Sequence, residues 1–261
     1  MNIKIMVAAH KKFPMPEDSD LYMPVLVGAS RNYIHGIDYQ RDDDGENISE
    51  KNPNYNELTA VYWAWKNLKG VDAVGLVHYR RYFFHPLKKG ILNNVMSESN
   101  AENLLKDYDV ILPRKRNYVI ETNYSHYIHA HNKEPLDKLR TVVKKLYPEY
   151  LQSFDLVMAR RKAHMFNMFV MKQSFFEDYA EWLMKILITL ESEIDISDYS
   201  VQESRVFGYI GELLMDVWIN FNDINYVEVP WKQIGKTHNL AKMVNFLKRK
   251  FLPKLKSKTH F

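Results

Sequence analysis

Apolar residues in this chain fall into short unbroken runs, separated by longer stretches in which they recur every three or four positions. Ile3 to Ala9 is the first run, short enough for a buried strand, and it opens onto His10-Lys11-Lys12. A loop with Pro14, Pro16, Asp18 and Asp20 follows, then a brief apolar run from Pro24 to Val27 that stops at Gly28. Residues 36–54 are polar and turn-rich. Glu57 to Leu68 predicts a helix, because Leu58, Val61, Tyr62 and Trp65 share one face and Gly70 stands past its end. Ala73 to His78 predicts a second strand, running straight into Tyr79-Arg80-Arg81-Tyr82-Phe83.

The remaining elements follow the same alternation. Helices are predicted over Ala101–Lys106, Leu136–Leu146, Phe175–Leu190 and Val201–Asn220, and strands over Asp109–Leu112, Met168–Met171 and Tyr226–Val229. Strands alternating with helices imply an α/β fold, with a mainly parallel central sheet flanked by helices on both sides. No repeat or low-complexity linker divides the chain.

Composition narrows the function classes. With 261 residues, 46% of them hydrophobic and 13% aromatic, the chain can fill a sizeable core, so wholesale disorder is excluded. There is no cysteine, which removes disulfides and thiolate chemistry and agrees with a reducing compartment. The apolar start is too short for a secretory signal, and no run approaches the roughly 20 residues of a membrane span. A cytoplasmic protein, peripheral on the inner face of the membrane, is therefore expected. Charge is unevenly placed: residues 232–261 hold nine Lys or Arg and no acid, so a formal total of +4 leaves −5 on residues 1–231. A nucleic-acid reader carries its cations on the folded face, so nucleic acid is not an expected partner. Leu240, Val244, Leu247, Phe251 and Leu255 alternate with basic residues in this tail. Such a segment seeks anionic lipid; its alternative is a solvated, frayed terminus.

In open α/β sheets ligands gather beyond the carboxyl ends of the strands. Two such ends here carry cations: His10 and Lys11 after the first strand, His78, Arg80 and Arg81 at the Ala73–His78 strand. Phosphate or diphosphate is the natural partner of a guanidinium fork; the alternative is pairing with Asp42, Asp43 or Glu57 to hold a loop. The acidic loop from Asp42 to Asn47 reads as a solvated turn with one or two residues reaching a ligand. Trp65 lies with Tyr62 and Trp63 on a helix, at spacing that suits a core or a sugar-stacking wall. His126, His129 and His131 lack zinc-site spacing and are expected on an exposed, acceptor-facing loop. Arg205, Gly208 and Glu212 fall along one side of the late helix, either as a wall of a site or as an internal Arg–Glu bridge.

Taken in order, several blocks carry a resemblance. They are His10-Lys11; Asp42-x-x-Gly45-Glu46-Asn47-Ile48-Ser49; Asn52-Pro53-x-Tyr55-x-Glu57-Leu58-Thr59; Tyr62-Trp63-Ala64-Trp65-Lys66-Asn67; His78-Tyr79-Arg80-Arg81-Tyr82-Phe83; Asp109-Val110-Ile111-Leu112-Pro113; Asn167-Met168-Phe169-Val170-Met171; and Arg205-x-x-Gly208-x-x-x-Glu212. Together they resemble the bacterial galactofuranosyltransferase-type glycosyltransferase domain of capsule, exopolysaccharide and O-antigen clusters, formerly a domain of unknown function. The likeness spans roughly residues 3–230.

The resemblance implies a GT-A-like single catalytic domain over residues 1–231; the basic segment 232–261, whose own pattern suits either a membrane-associating tail or a solvated terminus, lies beyond it. It implies a UDP-sugar donor, UDP-galactofuranose foremost, a polyprenyl-diphosphate-linked glycan acceptor, and inversion at the anomeric carbon. Inversion needs a carboxylate base, for which Glu212 comes first, with Glu203 or an acid of the 42–46 loop behind it. His10, Lys11, Asp42, Asn47, His78, Arg80 and Arg81 are expected on the donor; His164, Asn167, Arg205 and Trp65 are expected on the sugar or acceptor. Asp107-Tyr108-Asp109 matches the D-x-D metal pattern of many such enzymes but precedes its strand instead of following it. The cations at the strand ends are therefore expected to stabilise the leaving diphosphate with no cofactor required, manganese being the alternative. Other UDP-hexoses, such as UDP-galactopyranose or UDP-glucose, are rival donors, and a non-catalytic glycan- or nucleotide-binding module is the rival class.

Overall fold

Alternation along the strands builds two large cores, one on each face of the sheet, and Leu26, Ala29 and Ile37 form a small third cluster. A computed structural model describes residues 1–84 and 92–235. Its strands are β1 (Ile3–Ala9), β2 (Tyr22–Leu26), β3 (Gln40–Arg41), β4 (Ala73–His78), β5 (Arg81–Phe83), β6 (Val110–Pro113), β7 (Arg116–Asn117), β8 (Lys162–Ala163), β9 (Phe169–Lys172), β10 (Tyr226–Val229) and β11 (Trp231–Gln233). The α-helices are α1 (Ala29–Asn32), α2 (Asn52–Tyr55), α3 (Leu58–Asn67), α4 (Glu98–Asp107), α5 (Asn123–Ala130), α6 (Glu134–Leu146), α7 (Leu151–Ala159), α8 (Gln173–Glu191) and α9 (Val206–Phe221). Met6 and Ala8 of β1, Val74 and Leu76 of β4, and Phe169 and Met171 of β9 turn to a large core shared with α3, α6, α7, α8 and α9. Their neighbours Ile5, Val7, Ala73, Val77 and Val170 turn the other way, onto Ala101 and Leu105 of α4 and the aromatic residues of β5.

The main sheet runs β10-β6-β9-β4-β1-β2-β3. Adjacent β1, β2, β3 and β4 are parallel, as are β6 and β10. Antiparallel β9 lies between β4 and β6 and is the exception within that order. The expected mostly parallel α/β sheet is observed, with β9 reversed and β5 and β11 added as an antiparallel flap beside β4. Gly75 makes the β4–β9 pairing possible, since a Cβ there would lie 2.9 Å from Val170 Cγ2 and 3.0 Å from Ile5 Cγ1.

Several expectations change. The segment around His126 and His129 is helix α5, not a loop; Thr122 caps it and exchanges bonds with Ser125. Helix α9 begins at Val206 after a 3₁₀ turn at Glu203–Arg205, later than the expected Val201. Helix α7 and the β7–β8 pair were not anticipated. The tail residues from 236 onward, with the basic amphipathic segment expected there, lie outside the described residues, and so do 85–91. Among the described residues no helix is long and apolar enough to cross a membrane.

Candidate active site

Parallel pairing sets Ala8 of β1 opposite His78 of β4, so the two cation-bearing segments leave the sheet side by side. Phe13 stacks on Tyr79 with ring centroids 3.8 Å apart, and His10 meets both rings edge-on. The Arg80 guanidinium lies 5.1 Å from the Tyr79 centroid, and Lys11 Nζ lies 5.4 Å from that of Phe13. Burial lowers the His10 pKa, and the charges of Lys11, Arg80 and Arg205 lower it further. His78 donates from Nε2 to the Phe166 carbonyl at 2.6 Å. Its pKa is lowered mainly by burial.

A second group converges from α3 and α9. Glu57, at the N-terminus of α3, accepts a 2.6 Å bond from Asn167 Nδ2 and stands 4.0 Å from His78 Nε2. Asn167 also donates to the Gly208 carbonyl at 3.1 Å. Arg205 donates from Nε to Asn56 Oδ1 at 2.9 Å. Helix α9 can come this close only because position 208 lacks a side chain: a Cβ there would lie 2.1 Å from Asn56 Nδ2. Arg81 lays its guanidinium 4.3 Å from the Phe166 ring centroid, and its Nε is buried without a hydrogen-bond partner.

Glu212 is the electrostatic centre of the group. Burial, then the nearby Glu57, push its carboxyl up to about 8, against the pull of the Phe166 backbone amide, Arg81 and Arg116. Among the described residues, no carboxylate lies within ion-pairing distance of Arg80, Arg81 or Arg205. The pairing of these arginines with Asp42, Asp43 or Glu57, and the internal Arg205–Glu212 bridge, are thus not formed. Asp43 pairs with Arg41 instead.

The turn that joins the two groups is strained. Phe166 and Asn167 have φ of 75° and 52°. Left-handed backbone costs an L-residue such as Phe about 1–2 kcal/mol. The turn aims the Phe166 carbonyl at His78 and its amide at Glu212, which is a reason to hold such a conformation. A buried network anchors it from behind. His164 donates its backbone amide and Nδ1 to Asp216 at 2.9 and 2.7 Å, and its Nε2 faces Glu228 at 3.5 Å. Burial alone would lower the His164 pKa, but the bonds to Asp216 and Glu228 win and raise it. Glu228 is held down to about 2, first by His164.

The structure brings together His10, Lys11, His78, Arg80, Arg81, Asn167, Arg205 and Glu212 of the residues singled out from sequence. It sets others apart. Asp42 is fully buried, and its two oxygens accept from the Gly28 and Ala29 amides and the Ser49 and Thr59 hydroxyls. It ties loops together with no oxygen left over for a donor. Asn47 organises its own turn through bonds to Asp43, Gly45 and Ser49. Trp65 lies two turns along α3 from Glu57, about 12 Å down the helix axis, and packs with Tyr62 and Lys66. His164 is 2% exposed and supports the turn from behind instead of facing a sugar. Glu203 lies with His131 and the Asn132 amide. His126 and His129 flank Glu121, and Asp109 pairs with Lys172 at the opposite edge of the sheet. Among the described residues no three His, Asp or Glu side chains form a metal-binding group.

Sequence reading missed Glu57, Asn56 and Phe166 as members of the site. Asn56 is the one with a signal: an Asn-Glu pair between two helical segments, where a left-handed residue must stop the first, φ being 53°.

Past the carboxyl edge of a mixed α/β sheet, this arrangement sets cations that suit an anion beside a high-pKa carboxylate that suits proton transfer. The chain belongs to the family described as a domain of unknown function (DUF4422), whose model matches residues 4–223. Its fold is similar to the WbbM bifunctional glycosyltransferase in its apo structure, with a TM-score of 0.79 and 30% identity over 90% of this chain. The chain spans 46% of that protein's length. No curated protein matches it.

Proposed function

We propose that this protein is a glycosyltransferase that moves a sugar, galactofuranose in the first instance, from a UDP-linked donor to a lipid-linked glycan with inversion. One observation carries the reading: Arg80, Arg81 and Arg205 converge without ion-pair partners among the described residues, beside a carboxylate pushed up to about 8. Arg81 and Arg205 are half-buried, and Arg81 Nε is buried without a hydrogen-bond partner. Leaving such a guanidinium unpaired is costly unless an anion arrives, and a diphosphate supplies two phosphates for bidentate bonds. The likeness to a bifunctional glycosyltransferase supports the same reaction class.

In this scheme Glu212 in its ionised form takes the proton of the acceptor hydroxyl. The hydroxyl oxygen forms a bond to the anomeric carbon as the bond from that carbon to the diphosphate oxygen breaks on the opposite face. The electron pair leaves with the nucleoside diphosphate, whose added charge Arg81 and Arg205 meet, with His10, Lys11 and Arg80 at the rim. Glu57 fixes Asn167 and, with it, the turn that carries Phe166. A pKa near the working pH suits a base that must be ionised to accept a proton yet basic enough to hold it.

The test is transfer from a panel of UDP-sugars to a synthetic lipid-linked acceptor, with products read by mass spectrometry. Transfer from UDP-galactofuranose is expected, Arg81→Gln is expected to lose about 10²–10³ in rate, and Glu212→Gln to keep donor binding but not transfer. Preference for another UDP-hexose would correct the donor, and binding without turnover of any donor would leave a binding module. Loss of activity in EDTA with rescue by manganese would overturn charge neutralisation by the arginines alone.

A further inference from the structure

Where β7 pairs with β8, two segments distant in sequence lie side by side: the Tyr118 amide bonds to the Arg161 carbonyl at 2.8 Å, and Arg161 Nη1 bonds to the Val119 carbonyl at 3.2 Å. The tip of this finger is apolar. Val119 and Ile120 are 65% and 48% exposed. Val119 also has φ of 61°, a conformation that β-branched residues avoid. An exposed valine in that backbone earns the fold nothing, whereas asparagine or glycine would fit it without strain.

Five cations lie on the two segments that carry the tip: Arg114 and Arg116 on one, Arg160, Arg161 and Lys162 on the other, with Arg161 bonded to the tip itself and Arg160 Nη2 bonded to Asn220 Oδ1 of α9. All are exposed, and among the described residues none lies within ion-pairing distance of a carboxylate. The acids nearby have other partners. Glu121 is held by His126 and His129, Glu228 by Lys115 and His164, and Asp155 by Arg140. The patch is therefore a concentrated positive field beside two aliphatic side chains. Single-strand binders combine a cationic groove with exposed rings on which bases stack, whereas Tyr118, the aromatic residue beside the tip, is 6% exposed and the exposed apolar side chains are aliphatic. Aliphatic tip and neighbouring cations together match an anionic lipid surface, where the tip enters the headgroup boundary and the cations meet phosphates.

We propose that residues 114–120 and 160–162 form a docking surface for an anionic bilayer. It borders the site described above, because Arg116 and Tyr118 both share the electrostatic field of Glu212. A membrane held there faces that carboxylate. The residues that form the surface are separate in sequence from the basic segment beyond residue 235, and its binding does not depend on the transfer reaction.

Because the chain has no cysteine, a single thiol reports on one position. Full-length Val119→Cys carrying an environment-sensitive fluorophore is mixed with vesicles of phosphatidylcholine, alone or with about 30% phosphatidylglycerol, and Ile188→Cys on α8 serves as control. Emission from position 119 is expected to brighten and shift to the blue with anionic vesicles only, and to revert in about 0.5 M salt; position 188 stays unchanged. In the unlabelled full chain, Arg114→Gln/Arg160→Gln/Lys162→Gln is expected to weaken vesicle partitioning on the order of 100-fold, about fivefold per charge. Val119→Asn/Ile120→Ser weakens it while keeping the fold, checked by circular dichroism, since asparagine suits the backbone at 119. A label that ignores vesicles, or a triple variant that partitions like the parent, overturns the proposal. A response to a single-stranded oligonucleotide but not to vesicles overturns it in favour of nucleic acid.

Discussion

Replacing Glu212 with glutamine is expected to stop transfer and, in alkaline solution, to stabilise the protein. The carboxyl titrates near 8 in the folded chain and near 4.5 when exposed, chiefly because it is buried and faces Glu57. Between those pH values the folded state keeps a proton that the unfolded state has lost, so stability falls as pH rises, starting near 4.5 and levelling off above 8. Each pH unit of that interval is worth about 1.4 kcal/mol, which sets a ceiling of roughly 5 kcal/mol for a completely desolvated group. Glu212 keeps partial contact with solvent, which screens its charge. The expected cost in the parent is therefore about 2 kcal/mol at pH 9. Glutamine has the shape of the protonated acid and cannot ionise. For a chain of this size the gain corresponds to a Tm about 5 °C above the parent at pH 9, shrinking toward nothing near pH 4.5. Thermal unfolding of the two proteins by circular dichroism at pH 5 and pH 9 measures it. An offset between the two Tm values that is the same at both pH values would refute the buried, high-pKa carboxylate and the general-base role built on it.

Other substitutions probe the scaffold. Asp42→Ala removes the acceptor of two buried amides and two hydroxyls, and is expected to cost about 3–5 kcal/mol in urea unfolding; a loss below about 1 kcal/mol would contradict its loop-tying role. Asn167→Ala and Asn167→Gly both free Glu57 and should both slow turnover. Both lose the buried bonds to Glu57 and Gly208. Only the alanine also meets left-handed backbone strain, so it should be about 1 kcal/mol less stable than the glycine, and equal stability of the two would argue against strain at the turn. Gly208→Ala drives a Cβ into Asn56, which holds Arg205, and is expected to weaken UDP binding about tenfold, or about 1.4 kcal/mol, by calorimetry; unchanged affinity would detach Arg205 from the donor.

Local pattern revealed the elements that bury a periodic face. β1 and β4 are continuous apolar runs, and α3 and α8 carry apolar residues at helical spacing, so their places were legible. The same logic failed at α5, whose apolar face is weak and whose cap uses Ser125 where a longer polar side chain is the usual signal. It also failed at β7 and β8, two-residue strands defined by a partner about 45 residues away. The reversal of β9 left no trace in its residues, because a strand buried on both faces looks alike in either direction.

The candidate site divides along the same line. Cations after β1 and β4 can be read from the sequence because a strand ends where apolar residues stop, and side chains just beyond the carboxyl edge of a sheet have nowhere else to go. Glu212 and Arg205 can be read as sharing one side of a helix, since helical spacing is local. Distance in three dimensions decided the rest. Only the folded chain shows that Asp42 is sealed behind four donors, that Trp65 lies two turns from the site, and that Glu57 and a strained Phe166 turn stand beside Glu212. Sequence determines which residue types a segment can bury or expose. Tertiary packing determines which of them share a dielectric environment, and so which carboxylate holds its proton near neutral pH.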